Sequence, residues 1–256
     1  MLFEKGLSYS AINSARSALS AFGIVHDGLS VGCHPVMIRF IKGIYNLRPP
    51  APKYNVTWDV SLVLNVLRKM SPVKYISLKD LTLKLTMLLC LILAGRTQSL
   101  HLLSISDTVK GSQSYILKYS DLLKQSRPGK NNPIVELKAY PPDRRLCCIT
   151  VLKEYLERTK KIRKNETFLF ISYVKPHKAI SKSTLSRWLK TIMSKAGIDI
   201  TKFSSHSVRA ASVSKAKLYM SVENIVKSVG WSNANTFAKF YDKPIQTVDF
   251  QTAVLK

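Results

Sequence analysis

Apolar residues recur along this chain with two different periods, and the helical period dominates. Residues 81–95 are apolar on nearly every face of a helix, which predicts a buried central helix. Ser77 and Asp80 precede it in the pattern of a capping box. Residues 115–124 and 133–140 have the pattern of two strands around a Pro/Gly/Asn turn. We therefore expect a mainly α-helical fold with a small antiparallel β-sheet, an α+β arrangement.

Weaker patterns complete the predicted order of elements. Residues 8–22 predict a helix near the N-terminus, and Pro35 opens a second one. Residues 97–105 predict a short helix, and residues 168–172 predict a short strand. The final third of the chain has a helical pattern throughout.

Prolines divide the chain into two predicted domains. Three prolines fall within five residues of segment 48–54, where no helix can continue, so this segment is the predicted linker. Residues 1–47 then form a partial helical domain, and residues 55–256 form a larger one. Two helices alone bury little surface, so the first domain is expected either to lean on the larger domain or to have lost neighbours at its N-terminus.

The charge of the chain indicates the class of its partner. Forty Lys and Arg residues against fifteen Asp and Glu give a formal net charge of +25. Because the basic residues run the whole length instead of forming one tail, they favour a folded surface that lies along a polyanion, usually DNA or RNA. A ribosome-like or merely basic soluble protein is the alternative that charge alone leaves open.

Cysteine usage and hydropathy indicate the cellular compartment in which the protein is expected to work. The cysteines are Cys33, Cys90, Cys147 and Cys148. They form no CxxC pair and have no partnering histidine spacing, so neither a zinc site nor a disulfide framework is indicated, and a reducing compartment fits best. The longest apolar run, Leu85–Ala94, is far shorter than the roughly 20 residues that span a bilayer. We expect a soluble protein with no signal peptide and no membrane partner.

Six basic and aromatic side chains form an ordered set in the larger domain. They are Arg96, Lys124, His206, Arg209, Trp231 and Tyr241. His206 and Arg209 stand three residues apart on one face of a helix that Ser204 or Ser205 can cap, so together they can grip one phosphate. The sequence offers no acidic metal cluster, and no metal or cofactor is expected.

Cleavage of a phosphodiester by a tyrosine needs these chemical types. Two guanidiniums can offer paired donors to the non-bridging oxygens and carry the charge of a pentavalent transition state. A tyrosine, with an ordinary pKa of about 10, must lose its proton as it attacks, so neighbouring cations or a histidine must assist. The departing 5′ oxygen needs a proton, which a lysine can donate. Taken alone, each of the six residues would more commonly be a packing or surface residue. Only the ordered set favours phosphodiester cleavage by a tyrosine.

The order Arg, Lys, His-x-x-Arg, Trp, Tyr resembles the tyrosine recombinase, or phage integrase, family over essentially the whole chain. The segments AGRTQSLHLL, LLKQSRPGK and GWSNANTFAKFYDKP look most like its eukaryotic transposon-encoded branch of Crypton and DIRS-type elements. The resemblance implies that residues 1–47 are the tail of a helical core-binding domain and residues 55–256 a catalytic domain.

The resemblance also implies a role for each residue of the set. Arg96 would be the first catalytic arginine, and Lys124 the hairpin lysine that acts as general acid. His206 and Arg209 would be the His-x-x-Arg pair. Trp231 would replace a second histidine and donate its indole N–H to the scissile phosphate.

Tyr241 would form a covalent 3′-phosphotyrosyl link, which conserves the phosphodiester energy so that strands rejoin without ATP. Two departures from the family pattern stand out. Tyr241 stands ten positions after Trp231 where a spacing of nine positions is common in the family, so Phe240 occupies the usual place of the nucleophile. Ser99 stands where many relatives carry an acidic residue.

The resemblance implies double-stranded DNA as partner, a homo-tetramer on two duplexes when active, a mobile-element origin and a nuclear location. Two alternatives remain. A domesticated or truncated DNA-binding protein without strand cleavage is favoured by the short first domain, and a type IB topoisomerase shares the chemistry without site specificity. The tail after Pro244 packs either on its own domain or on a neighbouring protomer.

Overall fold

The computed structural model describes residues 2–50, 54–123, 126, 129, 132–231, 237–238 and 241–245. The chain forms two compact units, Met1–Lys53 and Tyr54–Lys256. Each is described by itself.

The first unit is a helical hairpin with a short β-hairpin between its helices. Its elements are α1 (Tyr9–Ala21), β1 (Val25–His26), β2 (Leu29–Ser30) and α2 (Pro35–Leu47). Both predicted helices are confirmed. Among the described residues of this unit, the buried apolar cluster consists of Ile12, Ile41 and Ile44, so the hydrophobic core found there is small.

The second unit is built around one buried helix, as the apolar pattern predicts. This helix, α4 (Leu78–Leu93), is buried at every position from Leu81 to Leu91. Ser77 caps it by accepting a hydrogen bond from the backbone N–H of Asp80 at 3.0 Å. The helices α6 (Cys148–Thr159), α7 (Lys182–Lys195) and α8 (Ser207–Ala216) pack against it, and α3 (Val60–Lys69) packs against α7 and α8.

The end of α4 differs slightly from the prediction. Ala94 adopts a left-handed backbone conformation, with φ 43° and ψ 33°, and closes the helix one residue before Gly95. A two-residue turn then leads directly into α5 (Thr97–His101). The chain therefore passes from the most buried helix of the unit straight to Arg96.

A three-stranded antiparallel sheet lies beside these helices, in the order β3 (Leu103–Lys110), β4 (Ser114–Tyr119) and β5 (Val135–Lys138). The predicted helix over 97–105 is wrong beyond His101, because the following residues pair with β4, starting with Leu103 opposite Tyr119. β4 ends at Tyr119, short of the predicted residue 124.

The predicted strand over 168–172 forms only isolated bridges, Ser104 with Phe168 and Ile171 with Ala179. This segment is pinned by single hydrogen bonds, such as the Leu169 N–H to the Leu103 carbonyl at 2.6 Å. Its apolar side chains are buried as a strand pattern requires, but its backbone has no continuous ladder.

The C-terminal region holds α8 and α9 (Val222–Val229), which Gly230 ends in a left-handed conformation. Neither Ser204 nor Ser205 caps α8 as predicted, since its N-cap is His206 and the cap makes no side-chain hydrogen bond. The described elements confirm a mainly α-helical fold with a small antiparallel sheet. None of the described helices combines the length and the apolarity needed to cross a bilayer.

Candidate active site

Arg209 lies at the centre of the candidate site because α8 is fixed against the core. The Ser212 hydroxyl donates to the Leu91 carbonyl near the end of α4. At the start of α8, the indole N–H of Trp58 donates to the Ser207 hydroxyl at 2.9 Å. These contacts hold Arg209 with only 6% of its surface exposed.

Two aromatic rings from the C-terminal segment lie against the Arg209 guanidinium. The rings of Trp231 and Tyr241 are stacked, with centroids 4.8 Å apart and an interplanar angle of 21°. The guanidinium carbon of Arg209 is 4.9 Å from the Trp231 centroid and 5.1 Å from the Tyr241 centroid. Both distances lie within the range of cation–π attraction. The structure thus joins three of the six predicted site residues in one contact.

The backbone around Tyr241 is anchored to the same unit. The Tyr241 N–H donates to the Phe237 carbonyl at 2.8 Å, and the Phe237 ring is 1% exposed in a small apolar cluster. The Ser214 hydroxyl donates to the Tyr241 carbonyl at 3.0 Å. Asp242 pairs with Lys217, with Nζ 2.7 Å from the carboxylate.

The residues just after Tyr241 also contact other residues of the second unit. The backbone N–H of Thr57 donates to the Pro244 carbonyl at 2.9 Å, and Thr57 forms a parallel bridge with Ile245. Residues 241–245 therefore pack in cis. The choice between cis and trans packing was predicted for the tail after Pro244; its first residue, Ile245, packs in cis, and residues 246–256 lie outside the described part of the chain.

Arg96 and Arg209 line one cavity of about 380 Å³. Arg96 is half-buried at the N-cap of α5, directly after the left-handed residue Ala94. The cavity is also lined by Tyr119, at the end of β4, and by Lys227, in the last turn of α9. It is large enough for a phosphodiester group, and two guanidiniums and an ammonium face it.

The electrostatics of the cavity favour an anion. Burial lowers the pKa of Arg209, and the neighbouring charge of Arg96 lowers it further, while the ionised forms of Tyr241 and Cys90 act in the opposite direction. Burial also raises the pKa of the Cys90 thiol to about 12, so this neighbour is neutral and does not balance the guanidinium. Among the described residues, no carboxylate lies within ion-pair distance of Arg209. Glu136 also lines the cavity, so one acidic side chain stands there beside three basic ones, Arg96, Arg209 and Lys227. An anion close to Arg209 would meet a buried guanidinium that has no carboxylate partner among the described residues.

Two nitrogen donors in the site lack hydrogen-bond partners. Nε of Arg209 and Nε1 of Trp231 are both buried, and neither has a partner in the described part of the chain. A buried donor without a partner costs about 1–3 kcal/mol. Such donors are typical of a site that pairs them with a ligand.

The other predicted residues are placed differently. His206 precedes α8 one turn before Arg209, and its side chain is exposed at the surface of the unit. Lys124 lies outside the described residues, as does Phe240. Ser99 lines the cavity, so the position where an acidic residue was expected faces the site with a hydroxyl.

Sequence reasoning missed Tyr119 and Lys227. Alternation along β4 puts Tyr119 on the same face as the buried Tyr115 and Leu117, a signal that could have identified it as partly buried. Burial raises the pKa of Tyr119, so its hydroxyl is protonated and able to donate. Lys227 is exposed on a basic surface and carries no comparable signal in the sequence.

Comparison with known proteins gives one family and one fold. Residues 64–246 match the Phage integrase family. No curated protein is similar enough in sequence to count as a relative. Among solved structures, the chain is similar to XerH site-specific recombinase in a post-cleavage complex with palindromic difH substrate. That match has a TM-score of 0.53 and 16% identity, and it covers 80% of this chain and 51% of the XerH chain.

Two further structures are similar over nearly the whole chain. The XerA recombinase matches with a TM-score of 0.54 and 16% identity, covering 97% of this chain and 81% of its own. The Tn1549 transposon integrase, in complex with circular intermediate DNA, matches with a TM-score of 0.57 and 14% identity, covering 99% and 81%. At these identities the matches show the fold. The chain spans about half the length of the XerH chain.

Proposed function

Because the chain belongs to the phage integrase family, we propose that it is a site-specific DNA recombinase that cuts and rejoins strands through Tyr241. The observation that carries this proposal is the packing of the Tyr241 ring against Arg209, beside a cavity that Arg96 and Arg209 line together. The net charge of +25 suits a partner with a phosphate backbone. Double-stranded DNA is the substrate proposed.

The chemistry follows from the side chains. A backbone phosphate in the cavity would accept hydrogen bonds from Arg96 and Arg209, which stabilise the charge of the pentavalent transition state. The Tyr241 oxygen bonds to phosphorus as the bond to the 5′ oxygen breaks. The tyrosine proton passes to a base, for which His206 is proposed, and the 5′ oxygen takes a proton from Lys124. Attack of a 5′ hydroxyl on the phosphotyrosine reverses these steps and rejoins a strand.

In the described part of the chain, the rings of Trp231 and Tyr241 lie against the Arg209 guanidinium, and Arg209 itself lines the cavity. We propose that a phosphate bound in the cavity competes with the two rings for this guanidinium.

The proposal is tested with a nicked duplex that loses the 5′ product and so traps a covalent adduct. Because the target sequence is unknown, the duplexes come from a random-sequence pool that is selected for adduct formation. Tyr241→Phe should abolish the adduct and retain DNA binding, whereas Tyr75→Phe, at an exposed tyrosine outside the lining of the cavity, should leave the adduct in place. An adduct that persists in Tyr241→Phe would disprove the role of Tyr241, and DNA binding without an adduct on any substrate would support the binding-only alternative.

We further propose that the chain derives from a mobile element of the eukaryotic Crypton or DIRS-type branch and acts in the nucleus. The proposal rests on the segments AGRTQSLHLL and GWSNANTFAKFYDKP. A homo-tetramer on two duplexes is the proposed active assembly. Sequencing the DNA around the gene tests the origin, since terminal repeats or duplicated target sites should flank an element, and light scattering with DNA tests the assembly.

A further inference from the structure

A cluster of ligating side chains lies in the first unit, in a region that the proposed recombination chemistry does not use. His26 ends β1, and Asp27 and Gly28 form the two-residue turn to β2 with φ values of 49° and 74°. Positive φ at both turn positions is typical of a tight hairpin turn, and Asp followed by Gly is a favoured sequence for it. His34 is the N-cap residue of α2. The hairpin turn thus meets the start of the next helix.

The distances within this cluster suit ligands of one ion better than direct hydrogen bonds. Oδ2 of Asp27 is 3.7 Å from Nε2 of His26 and 3.5 Å from Nε2 of His34. A hydrogen bond between such groups would measure about 2.7–3.2 Å. Two ligands bound about 2.0–2.1 Å from a tetrahedral zinc ion lie roughly 3.3–3.5 Å apart. All three ligand atoms lie within 4.8 Å of one another.

The two imidazoles are also available as ligands. The N-cap position of α2 makes no side-chain hydrogen bond, so the His34 ring is not used to cap the helix. That side chain is only 16% exposed, which limits its freedom to turn away. The two histidine rings lie 5.2 Å apart between centroids, and Nε2 of each lies near the same Asp27 carboxylate oxygen. A divalent cation would hold both rings in their neutral form.

We propose that His26, Asp27 and His34 bind one divalent transition-metal ion, with Zn²⁺ as the preferred ion and water as the fourth ligand. Two imidazoles and one carboxylate are a donor set that zinc commonly takes. The ion would join the β1–β2 hairpin to the start of α2, in a unit whose buried apolar core is three isoleucines. Small units with small cores often rely on such a metal link. This site departs from the expectation that the chain binds no metal, because its ligands are two histidines and one aspartate instead of cysteines or clustered acidic residues.

The test uses the full chain in a Cys33→Ser background, which removes the exposed thiol next to His34 as a competing ligand. Zn²⁺ is titrated against a chromophoric chelator to obtain stoichiometry and affinity. The variants are His26→Gln, His34→Gln and Asp27→Asn; asparagine tolerates positive φ, so the turn survives the last change. His101→Gln is the control, because its imidazole is elsewhere and already contacts the Gln98 carbonyl at 2.9 Å.

We expect one tight Zn²⁺ per chain, a loss of at least tenfold in affinity for each of the three variants, and no change for His101→Gln. Zn²⁺ should also raise the midpoint of thermal unfolding in the Cys33→Ser parent but not in Asp27→Asn, since an ion that binds only the folded state stabilises it. No stoichiometric binding, or an affinity in Asp27→Asn or His34→Gln equal to that of the Cys33→Ser parent, would overturn the proposal. Neither result depends on DNA cleavage, so the metal site and the recombinase function stand or fail separately.

Discussion

Replacing Trp231 by phenylalanine separates the catalytic contribution of the indole N–H from the packing contribution of the ring. Phenylalanine keeps an aromatic face for the stack on Tyr241, whose centroid lies 4.8 Å away, and for the Arg209 guanidinium, 4.9 Å away. It removes the Nε1 donor, which is buried without a partner among the described residues. The substitution therefore changes one hydrogen-bond donor and a modest volume.

The structure predicts effects of opposite sign on stability and on cleavage. Removing an unsatisfied buried donor relieves about 1–3 kcal/mol, and the smaller ring loses on the order of 1 kcal/mol of packing, so stability should be unchanged or slightly higher. If the N–H donates to the phosphate in the transition state, its loss costs about 1.5–3 kcal/mol there. That cost corresponds to a cleavage rate roughly 10- to 150-fold lower.

Two assays measure these effects on the same preparation. Urea unfolding followed by far-ultraviolet circular dichroism gives the free energy of unfolding, and single-turnover adduct formation on a nicked duplex gives the cleavage rate. Trp231→Ala is the comparison variant, which removes both donor and stack and should lose stability as well as activity. Wild-type cleavage by Trp231→Phe would refute the role of the indole N–H, and a loss of several kcal/mol of stability would show that Nε1 is not an unpaired donor.

Three further predictions concern the rest of the second unit. Lys227→Gln should weaken DNA binding and reduce the slope of log affinity against log salt by about 1, because Lys227 lines the cavity. The control Lys195→Gln, on α7 where Lys195 pairs with Asp80 at 3.0 Å, should leave both quantities unchanged; fluorescence anisotropy at several salt concentrations measures them. Burial lowers the pKa of Lys84 from 10.5 to about 8, so between these pH values the unfolded chain binds more protons than the folded one. Urea unfolding should therefore show the stability of the wild type, relative to Lys84→Met, rising from pH 8 to 10.5 and constant below pH 8. An equal difference at every pH would contradict this. Leu85→Ala should cost about 2–5 kcal/mol because the side chain is fully buried, while Ile92→Ala on the same helix, 53% exposed, should cost less than about 0.5 kcal/mol.

The pattern of the sequence predicted elements whose signal is strong over a long segment. The helix over 81–95 was predictable because it is apolar on every face, and burial from Leu81 to Leu91 follows. The change from α5 to β3 was not, because the apolar residues around Leu103 fit a helix as well as a strand. Pairing with Tyr119 decides between them, and that contact is made only in the fold.

The candidate site was likewise predictable from the sequence in part only. The chemical types and order of Arg96, Arg209 and Tyr241 can be read along the chain, and their resemblance to a family gives each a role. The cavity itself could not be predicted, because its lining joins the end of α4, the end of β4 and the last turn of α9, far apart in sequence. Lys227 is one of many basic residues until these elements meet.

The central claim is that the Tyr241 oxygen forms a covalent bond to a DNA 3′ phosphate. Its most direct test is mass spectrometry of the trapped adduct after digestion with nuclease and trypsin. Residues 240–256 form one tryptic segment, because Pro244 protects the bond after Lys243, and this segment holds a single tyrosine. The segment should carry the mass of a 3′-linked nucleotide, and fragmentation should place that nucleotide on Tyr241. A nucleotide found on any other residue would contradict it.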